Sequence, residues 1–527
     1  MTPEATLKES WTVTKPTVRC AGGLVASQHH LASNVGAQVL ADGGNAIDAA
    51  IATSLAIGTV EPWMSGLGGG GQLLYYDAAH DRCHAVDFGM RAPLALDPSD
   101  YPLAEQGVDA DLFGWPRVKD DRNVTGPMAM AVPGYLAGVA LALQTFGTRD
   151  LATLLQPAIA SAREGMVADW YATLKIAAAA PSLNRFAESA RTYLPGGFVP
   201  AGEWGGPVPR IKLGRLADTL QQIADAGWKD FYRGDLAASI VADARDAGSV
   251  LGASDLQGYA AQVLDADAVR YRGARVHTAP GLTAGPTLQH VLRLMEQDSG
   301  SGFAAKSPNE HTYLSYAQSM MDAYAHRLSS LGDADETRDP SCTTHISVVD
   351  AQGNMVALTQ TLLSVFGSKV MLPDSGILMN NGIMWFDPWP GRPNSMAGGK
   401  RPLSNMCPVI VQRTDGLRFA AGASGGRRIM SAVMQILSFM VDFEMSVDEA
   451  IHQPRIDVSG TPIVTCFESL PDSIVEHIAS HHSVMREPNA VYPVLYACPN
   501  VVAHSPATGV SEGGAFIMSP WAKVAAQ

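Results

Sequence analysis

The sequence predicts a mixed α/β fold, folded as one interlocked body with a helix-rich middle. Three features carry this reading. Helix-spaced and strand-spaced apolar segments alternate from the first hundred residues onward. Hydrophobic residues make up 46% of the 527-residue chain and charged ones 17%, below the roughly 25% of an average soluble domain, which suits a densely buried body. No fixed-period repeat and no low-complexity tract offers a linker.

In chain order, Asn34 to Leu40 and Ala46 to Ile57 have helical spacing around the turn Asp42-Gly43-Gly44-Asn45, and Gln72 to Tyr76 alternates like a strand. From Tyr135 to about Met295 the pattern is mainly helical: Tyr135 to Thr145, Leu151 to Glu164, Leu216 to Ala226 and Asp235 to Ala247. The Pro- and Gly-rich stretch Leu194 to Pro209 is a joint within that lobe. After Pro340 strands dominate. His345 to Val349 and Met355 to Leu362 flank the turn Ala351-Gln352-Gly353-Asn354, further strands are expected at Pro408 to Gln412 and Leu417 to Ala421, and a helix at about Arg428 to Val441.

With 37 basic and 51 acidic residues the formal net charge is -14, which repels phosphate backbones and anionic lipid, so neither nucleic acid nor membrane is an expected partner. The cysteines at 20, 83, 342, 407, 466 and 498 are scattered without a C-x-x-C pair, which reads as reduced thiols and predicts no metal site. Residues 1–20 lack the apolar core of a secretory leader, and Ala46 to Val60 is too short to span a bilayer, so a cytoplasmic protein is expected.

The block Thr343-Thr344-His345-Ile346-Ser347-Val348-Val349-Asp350 opens a strand after the polar run Gly332 to Cys342. Together with Gly43 to Ala50, Glu61-Pro62, Ser65 to Gly71, Pro133-Gly134, Ala323-Tyr324-Ala325 with Arg327, Ser375 to Leu378, Lys400 to Ser404 and Ser424-Gly425-Gly426, it resembles the gamma-glutamyltranspeptidase family of self-cleaving N-terminal-nucleophile hydrolases. The likeness runs from about Leu24 to Gly514. It implies a four-layer αββα sandwich, cleavage between Cys342 and Thr343, and two fragments, 1–342 and 343–527, that remain together as a heterodimer; pairing of two such heterodimers is left open.

The chemistry of that implication is self-contained. A free Thr343 α-amine has a reference pKa of about 7.7 to 8.0 and can serve as general base for its own hydroxyl. The resemblance assigns Thr361 as a second hydroxyl, Gly425 and Gly426 as oxyanion donors, and Ser404 and Asn405 as substrate contacts, Asn405 standing where the family has serine. A two-residue turn at Gln352-Gly353 would pair Thr361 with Thr344, and a one-residue bulge would bring it beside Thr343. No cofactor is implied.

Where the family holds a zwitterionic glutamyl head, this chain departs from it. Gly89 stands at the carboxylate-binding arginine position, with Arg91 two places on; Trp385 stands for the amine-binding aspartate, Gly382 for a glutamine and Leu363 for an asparagine. A bound ammonium without an anion is costly to desolvate, so the expected substrate lacks the α-amine: a small carboxylate-bearing amide such as oxamate, held by Arg91 or by Arg427 and Arg428. The alternatives are gamma-glutamyl transfer or hydrolysis on glutathione-like amides and a cephalosporin-type acylase with a pocket narrowed by Trp385. A rival of another class reads Gly422-Ala423-Ser424-Gly425-Gly426 as a serine-hydrolase elbow, with Asp442, Asp448, Asp457 or Asp472 and His477, His481 or His482 completing a triad. Gly66 to Gly71 fits a dinucleotide glycine pattern but follows a helix instead of a strand, and His477 with His481 lacks a completing carboxylate for a metal.

Overall fold

The computed structural model describes residues 13–108, 115–298, 302–331, 341–459, 461–492 and 494–527. Two seven-stranded antiparallel sheets form its centre. The first runs in the order Lys523–Ala526, Leu24–Ser27, Ser341–Val349, Met355–Ser364, Gly70–Asp77, Arg82–Phe88, Gln262–Asp265. The second runs Val18–Cys20, Val510–Ala515, Cys498–Ser505, Arg418–Ser424, Val409–Gln412, Ala274–Thr278, Asp267–Tyr271.

Side-chain alternation along the strands separates three cores, and these define the layers. Ala26, Leu74, Ala85, Ala357, Ile410, Ala420 and Val502 fill the space between the sheets. Val25, Leu73, Val86, Ile346, Val348 and Leu358, from the opposite face of the first sheet, pack on helices that include Ala46–Val60 and Tyr135–Phe146. Val276, Val411, Phe419 and Val501 pack on Gly285–Gln297, Glu310–Leu331 and Ile429–Asp442. The result is the expected α-β-β-α stack. Both sheets draw strands from either side of position 343, so neither 1–342 nor 343–527 could bury its own sheet alone. Among the described residues no helix is long and apolar enough to cross a membrane.

The early helices lie at His30–Ala41 and Ala46–Val60, slightly longer than their apolar patterns. The second begins with a capping box: Asn45 Oδ1 accepts from Asp48 N at 3.0 Å and Asp48 Oδ2 from Asn45 N at 2.9 Å. Asp48 also accepts from the amides of Thr148 and Arg149, which is why a fully buried charge is tolerated here. One expectation is corrected. The helix-rich lobe is interrupted at 262–278 by three strands, of which Gln262–Asp265 and Asp267–Tyr271 form one edge of each sheet; these two are largely exposed and lack the apolar alternation that marks a half-buried strand.

Candidate active site

The hairpin that opens at Thr343 is set by Asp350. Its Oδ1 accepts from the amides of Gln352 (3.0 Å) and Asn354 (2.9 Å), and its Oδ2 accepts from Ala46 N at 3.0 Å, docking the loop on a helix N-terminus. Asp350 N donates to Asn354 O, so the loop holds three residues, with Gly353 at φ +81°, and not two. The ladder therefore pairs Val349 with Met355 and Thr344 with Gln360. One more step sets Thr343 opposite Thr361. The next recorded pair is Cys342 with Leu363, so a bulge places Thr361 and Leu362 together against Thr343. Both threonines face the second sheet, and both are buried. Facing, which the strand pattern left open, is decided by this loop.

Two residues further along the same face lies His345. Its Nδ1 is 2.8 Å from Thr359 Oγ1 and its Nε2 3.0 Å from Ser347 Oγ, while Asn500 Nδ2 donates to the His345 carbonyl from the second sheet at 2.7 Å. The ring fits because residue 422 is glycine: a Cβ there would stand 2.3 Å from His345 Cε1. Burial lowers the imidazole pKa to about 3, so it is neutral at pH 7.

The Arg418–Ser424 strand delivers Gly425 (φ +135°) and Gly426 (φ +58°) to the start of the Ile429–Asp442 helix. A Cβ on Gly425 would lie 2.7 Å from Ala497 Cα, so the position admits no side chain. Its amide donates to no partner among the described residues. A free amide beside a helix N-terminus is suited to an anion.

Ser404 and Asn405 are held from below by Arg327, a buried arginine of the Glu310–Leu331 helix. It donates to Ser404 O at 2.7 Å, Thr283 O at 2.9 Å and Thr287 Oγ1 at 3.0 Å. Burial lowers its pKa to about 10, which leaves it charged at neutral pH. Tyr324, one turn earlier, donates to Arg427 O at 2.6 Å. A single helix thus fastens both the Ser404 turn and the glycine turn, a role that a sequence pattern does not reveal. Among the described residues Ser404 Oγ and Asn405 Nδ2 are buried without partners.

The head-group positions form an apolar wall. Leu363, Trp385, Ile383, Met384, Met90 and Met406 pack as one buried cluster. Gly382 is glycine because Met90 Sδ and Ala131 Cβ would lie 2.9 and 2.7 Å from a Cβ there. Leu363 has φ +85°, unfavourable for leucine, and its amide donates to Thr361 Oγ1 at 2.7 Å. Arg91 is not brought to this wall. Its guanidinium donates to the carbonyls of Asp255 (3.2 Å) and Gly258 (3.3 Å) and lies 5.9 Å from the Tyr259 ring, so the expected carboxylate cation is committed elsewhere. Beside Gly89, Asp87 takes an ion pair from Arg401. Arg427 and Arg428 are buried next to the glycine turn. The tether 332–340 and the side chain of Cys342 lie outside the described residues.

Among the described residues no hydrogen bond joins Ser424 to His477, His481 or His482, so the serine-hydrolase alternative is not assembled. Ser424 hydrogen-bonds Cys498 across the ladder. Asp442 stands at the far end of the Ile429–Asp442 helix, about 20 Å away by helical rise, where it accepts from Tyr271 Oη at 2.7 Å.

A family model described as Gamma-glutamyltranspeptidase matches residues 32–342 and 335–498. The chain belongs to the gamma-glutamyltranspeptidase family. It is 33% identical over 505 residues to an acylase ACY 1 proenzyme of Pseudomonas sp. strain V22, covering 88% of each chain. To the glutathione hydrolase proenzyme of Bacillus subtilis strain 168 it is 29% identical over 510 residues, covering 86% of this chain and 84% of that protein. Among solved structures, the cephalosporin acylase from Bacillus halodurans superposes with a TM-score of 0.85 at 24% identity over 99% of both chains, which establishes the N-terminal-nucleophile hydrolase fold. The gamma-glutamyltranspeptidase of Helicobacter pylori gives 0.51 at 28% identity over 63% of this chain and 88% of its own. The protein is thus an enzyme of a gamma-glutamyltransferase-like family acting on C–N bonds.

Proposed function

We propose that the chain is a self-processing amidohydrolase whose nucleophile is Thr343. The observation that carries this is the bulged pairing that sets Thr343 and Thr361 on one buried face of the hairpin. In the precursor, Thr343 Oγ attacks the Cys342 carbonyl carbon, the Cys342–Thr343 C–N bond breaks, and the resulting ester is hydrolysed by water to a Cys342 carboxylate and a free Thr343 amine. That amine then takes the hydroxyl proton as Thr343 Oγ attacks the substrate amide. The Gly425 and Gly426 amides receive the oxyanion, the amine half leaves with the proton, and water releases the acyl group from the threonine ester. Thr361, whose hydroxyl oxygen is engaged by Leu363 N, orients Thr343. The fragments stay associated as a heterodimer because both sheets interleave their strands.

The acyl half we assign to the Leu363, Trp385, Met90 and Met406 wall, so the favoured substrate is an acylase-type amide with an apolar acyl group. A glutamyl ammonium would be desolvated there without an anion. The acylase name of a 33% identical relative supports the same reading. A small carboxylate amide such as oxamate is the second reading, favoured by the unpartnered donors Ser404 Oγ and Asn405 Nδ2. A panel of a phenylacetyl anilide, oxamate, glutathione and a gamma-glutamyl anilide separates them. Preferred turnover of the phenylacetyl anilide is expected; efficient turnover of glutathione overturns the assignment of the wall.

A further inference from the structure

Between the glycine that admits the His345 ring and the free amide of Gly425, the Arg418–Ser424 strand carries one more polar side chain, Ser424. Alternation sends Ala420 into the space between the sheets and Phe419, Ala421 and Ala423 onto the helices behind. Gly422 and Ser424 share the face of Ala420, in keeping with the close approach of a Cβ at 422 to His345 Cε1. On the first sheet, Thr343 shares its face with His345 in the same way.

Contacts across the gap fix the level at which each residue stands. Asn500 Nδ2 donates to the His345 carbonyl at 2.7 Å, and a Cβ on Gly353 would lie 3.3 Å from His504 Cδ2. Cys498–Ser505 therefore runs in the same direction as Ser341–Val349. In the ladder Gly422 pairs with Asn500 and Ser424 with Cys498. Two residues back from the level of Asn500 and His345, the second sheet presents Cys498 with Ser424 and the first presents Thr343. At the His345 level an imidazole fills the gap against a glycine. At the Thr343 level both sides are short hydroxyl residues, and stacked sheets about 10 Å apart leave room between them for one amide group.

Ser424 Oγ and Gly425 N belong to consecutive residues, so covalent geometry sets the two donors side by side, where one oxygen can accept from both. The hydroxyl is oriented by its ladder partner, the Cys498 thiol, with which it hydrogen-bonds. Burial raises that thiol above its usual range, so at neutral pH it is an S–H that can donate to Ser424 Oγ and leave the O–H free.

We propose that the Ser424 hydroxyl is a third donor to the oxyanion, beside the Gly425 and Gly426 amides, and that Cys498 positions it. This rests on the assignment of Thr343 as the nucleophile. The hydroxyl keeps its proton throughout. Charge develops on the substrate carbonyl oxygen as Thr343 Oγ adds to the carbonyl carbon, and it returns to the C=O bond as the amine leaves. Serine in the Gly422 to Gly426 run is thereby a stabiliser of the reaction and not its nucleophile.

The processed enzyme is assayed on the amide of the substrate panel that the wild type turns over fastest. Ser424→Ala should lower kcat about 100-fold with KM within about twofold, because the hydrogen bond goes to charge that exists only in the transition state. Ser424→Thr, which keeps the hydroxyl, should retain most of the rate. Cys498→Ala should lower kcat less, and should cost nothing further in the Ser424→Ala background, since it acts through the hydroxyl. The aldehyde of the same acyl group takes Thr343 Oγ onto its carbonyl carbon and the hydroxyl proton onto its oxygen; its affinity should fall with kcat in Ser424→Ala, while the product acid binds unchanged. A Ser424→Ala enzyme with kcat within about threefold of the wild type overturns the third donor, and additive losses in the double variant overturn the role of Cys498. Mass spectrometry of the trapped acyl-enzyme separates this from the nucleophile assignment. Acyl group on Thr343 with kcat unmoved by Ser424→Ala sinks the donor alone, whereas acyl group on Ser424 with an inert Ser424→Ala sinks both.

Discussion

Replacing Gly422 by alanine puts a methyl group into the His345 ring, with Cβ 2.3 to 2.6 Å from three ring atoms. Neither neighbour has room to yield, because residue 422 lies inside the Arg418–Ser424 strand and His345 is clamped between Thr359 and Ser347. Overpacking of this kind costs about 1 to 3 kcal/mol, and loss of two buried hydrogen bonds adds about 0.5 to 1.5 each, for a total of about 2 to 6 kcal/mol. The ring sits two residues from Thr343, so self-cleavage should slow along with the loss of stability. Urea denaturation of the precursor form Thr343→Ala, with and without Gly422→Ala, measures the first; the appearance of two bands on denaturing gels measures the second. The clash has a partner-specific signature. His345→Ala removes the obstructing ring, so Gly422→Ala should cost little in that background, well under its cost in the parent. Additive losses in the double variant, or a Gly422→Ala protein within 0.5 kcal/mol of the parent, would refute the argument.

Thr343→Ala should leave one full-length band and no amidase activity, whereas Thr343→Ser should still yield fragments; cleavage of the alanine variant, read by N-terminal sequencing, excludes the mechanism. Gly425→Ala forces a side chain onto Ala497 at φ +135° and displaces the free amide, so kcat should fall about 100-fold or more, the cost of one oxyanion donor. Trp385→Ala opens the apolar wall, and the ratio of kcat/KM for bulky over small acyl groups should rise; no change in that ratio would remove Trp385 from the acyl pocket. His345 is neutral in the folded protein down to about pH 3 but takes a proton near 6.5 when unfolded. Unfolded chain therefore binds the extra proton, and stability falls as pH drops from about 6.5 toward 3, by about 1.4 kcal/mol per unit. In His345→Gln the slope of unfolding free energy against pH over that window should be smaller by one proton; an unchanged slope means the ring is charged in the native state.

Local signals were legible where a pattern repeats within a few residues. Leu151–Glu164, Leu216–Ala226 and Asp235–Ala247 begin and end where their apolar spacing does. The threonine block, the glycine pair and the substituted head-group positions were readable as residue types in order. The strands at 262–278 were not, since exposed edge strands carry no alternation. Arg91 could not be placed for a different reason: Met90 and Arg91 point to opposite sides of an extended segment, and Met90 is the one that joins the Leu363 and Trp385 cluster. Arg327 was invisible as a functional candidate, because what distinguishes it is its burial beneath the Ser404 turn, and a sequence does not show burial.

By itself, the sequence determined that this chain is a mixed α/β body with a threonine at the head of a buried strand and a glycine pair before a helix. Those follow from residue identity and short-range spacing, whereas the missing acid for a glutamyl ammonium is an implication of the family resemblance. Tertiary structure decided the register that sets Thr343 against Thr361, the loss of Arg91 to Asp255 and Gly258, and the fastening of the Ser404 turn and the glycine turn by one helix through Arg327 and Tyr324. A one-residue difference in loop length flips every side chain of a strand, and a cation's role depends on which carbonyls or acids lie within reach; the first is settled by Asp350 within its own turn and against Ala46, the second by carbonyls 164 and 167 residues from Arg91.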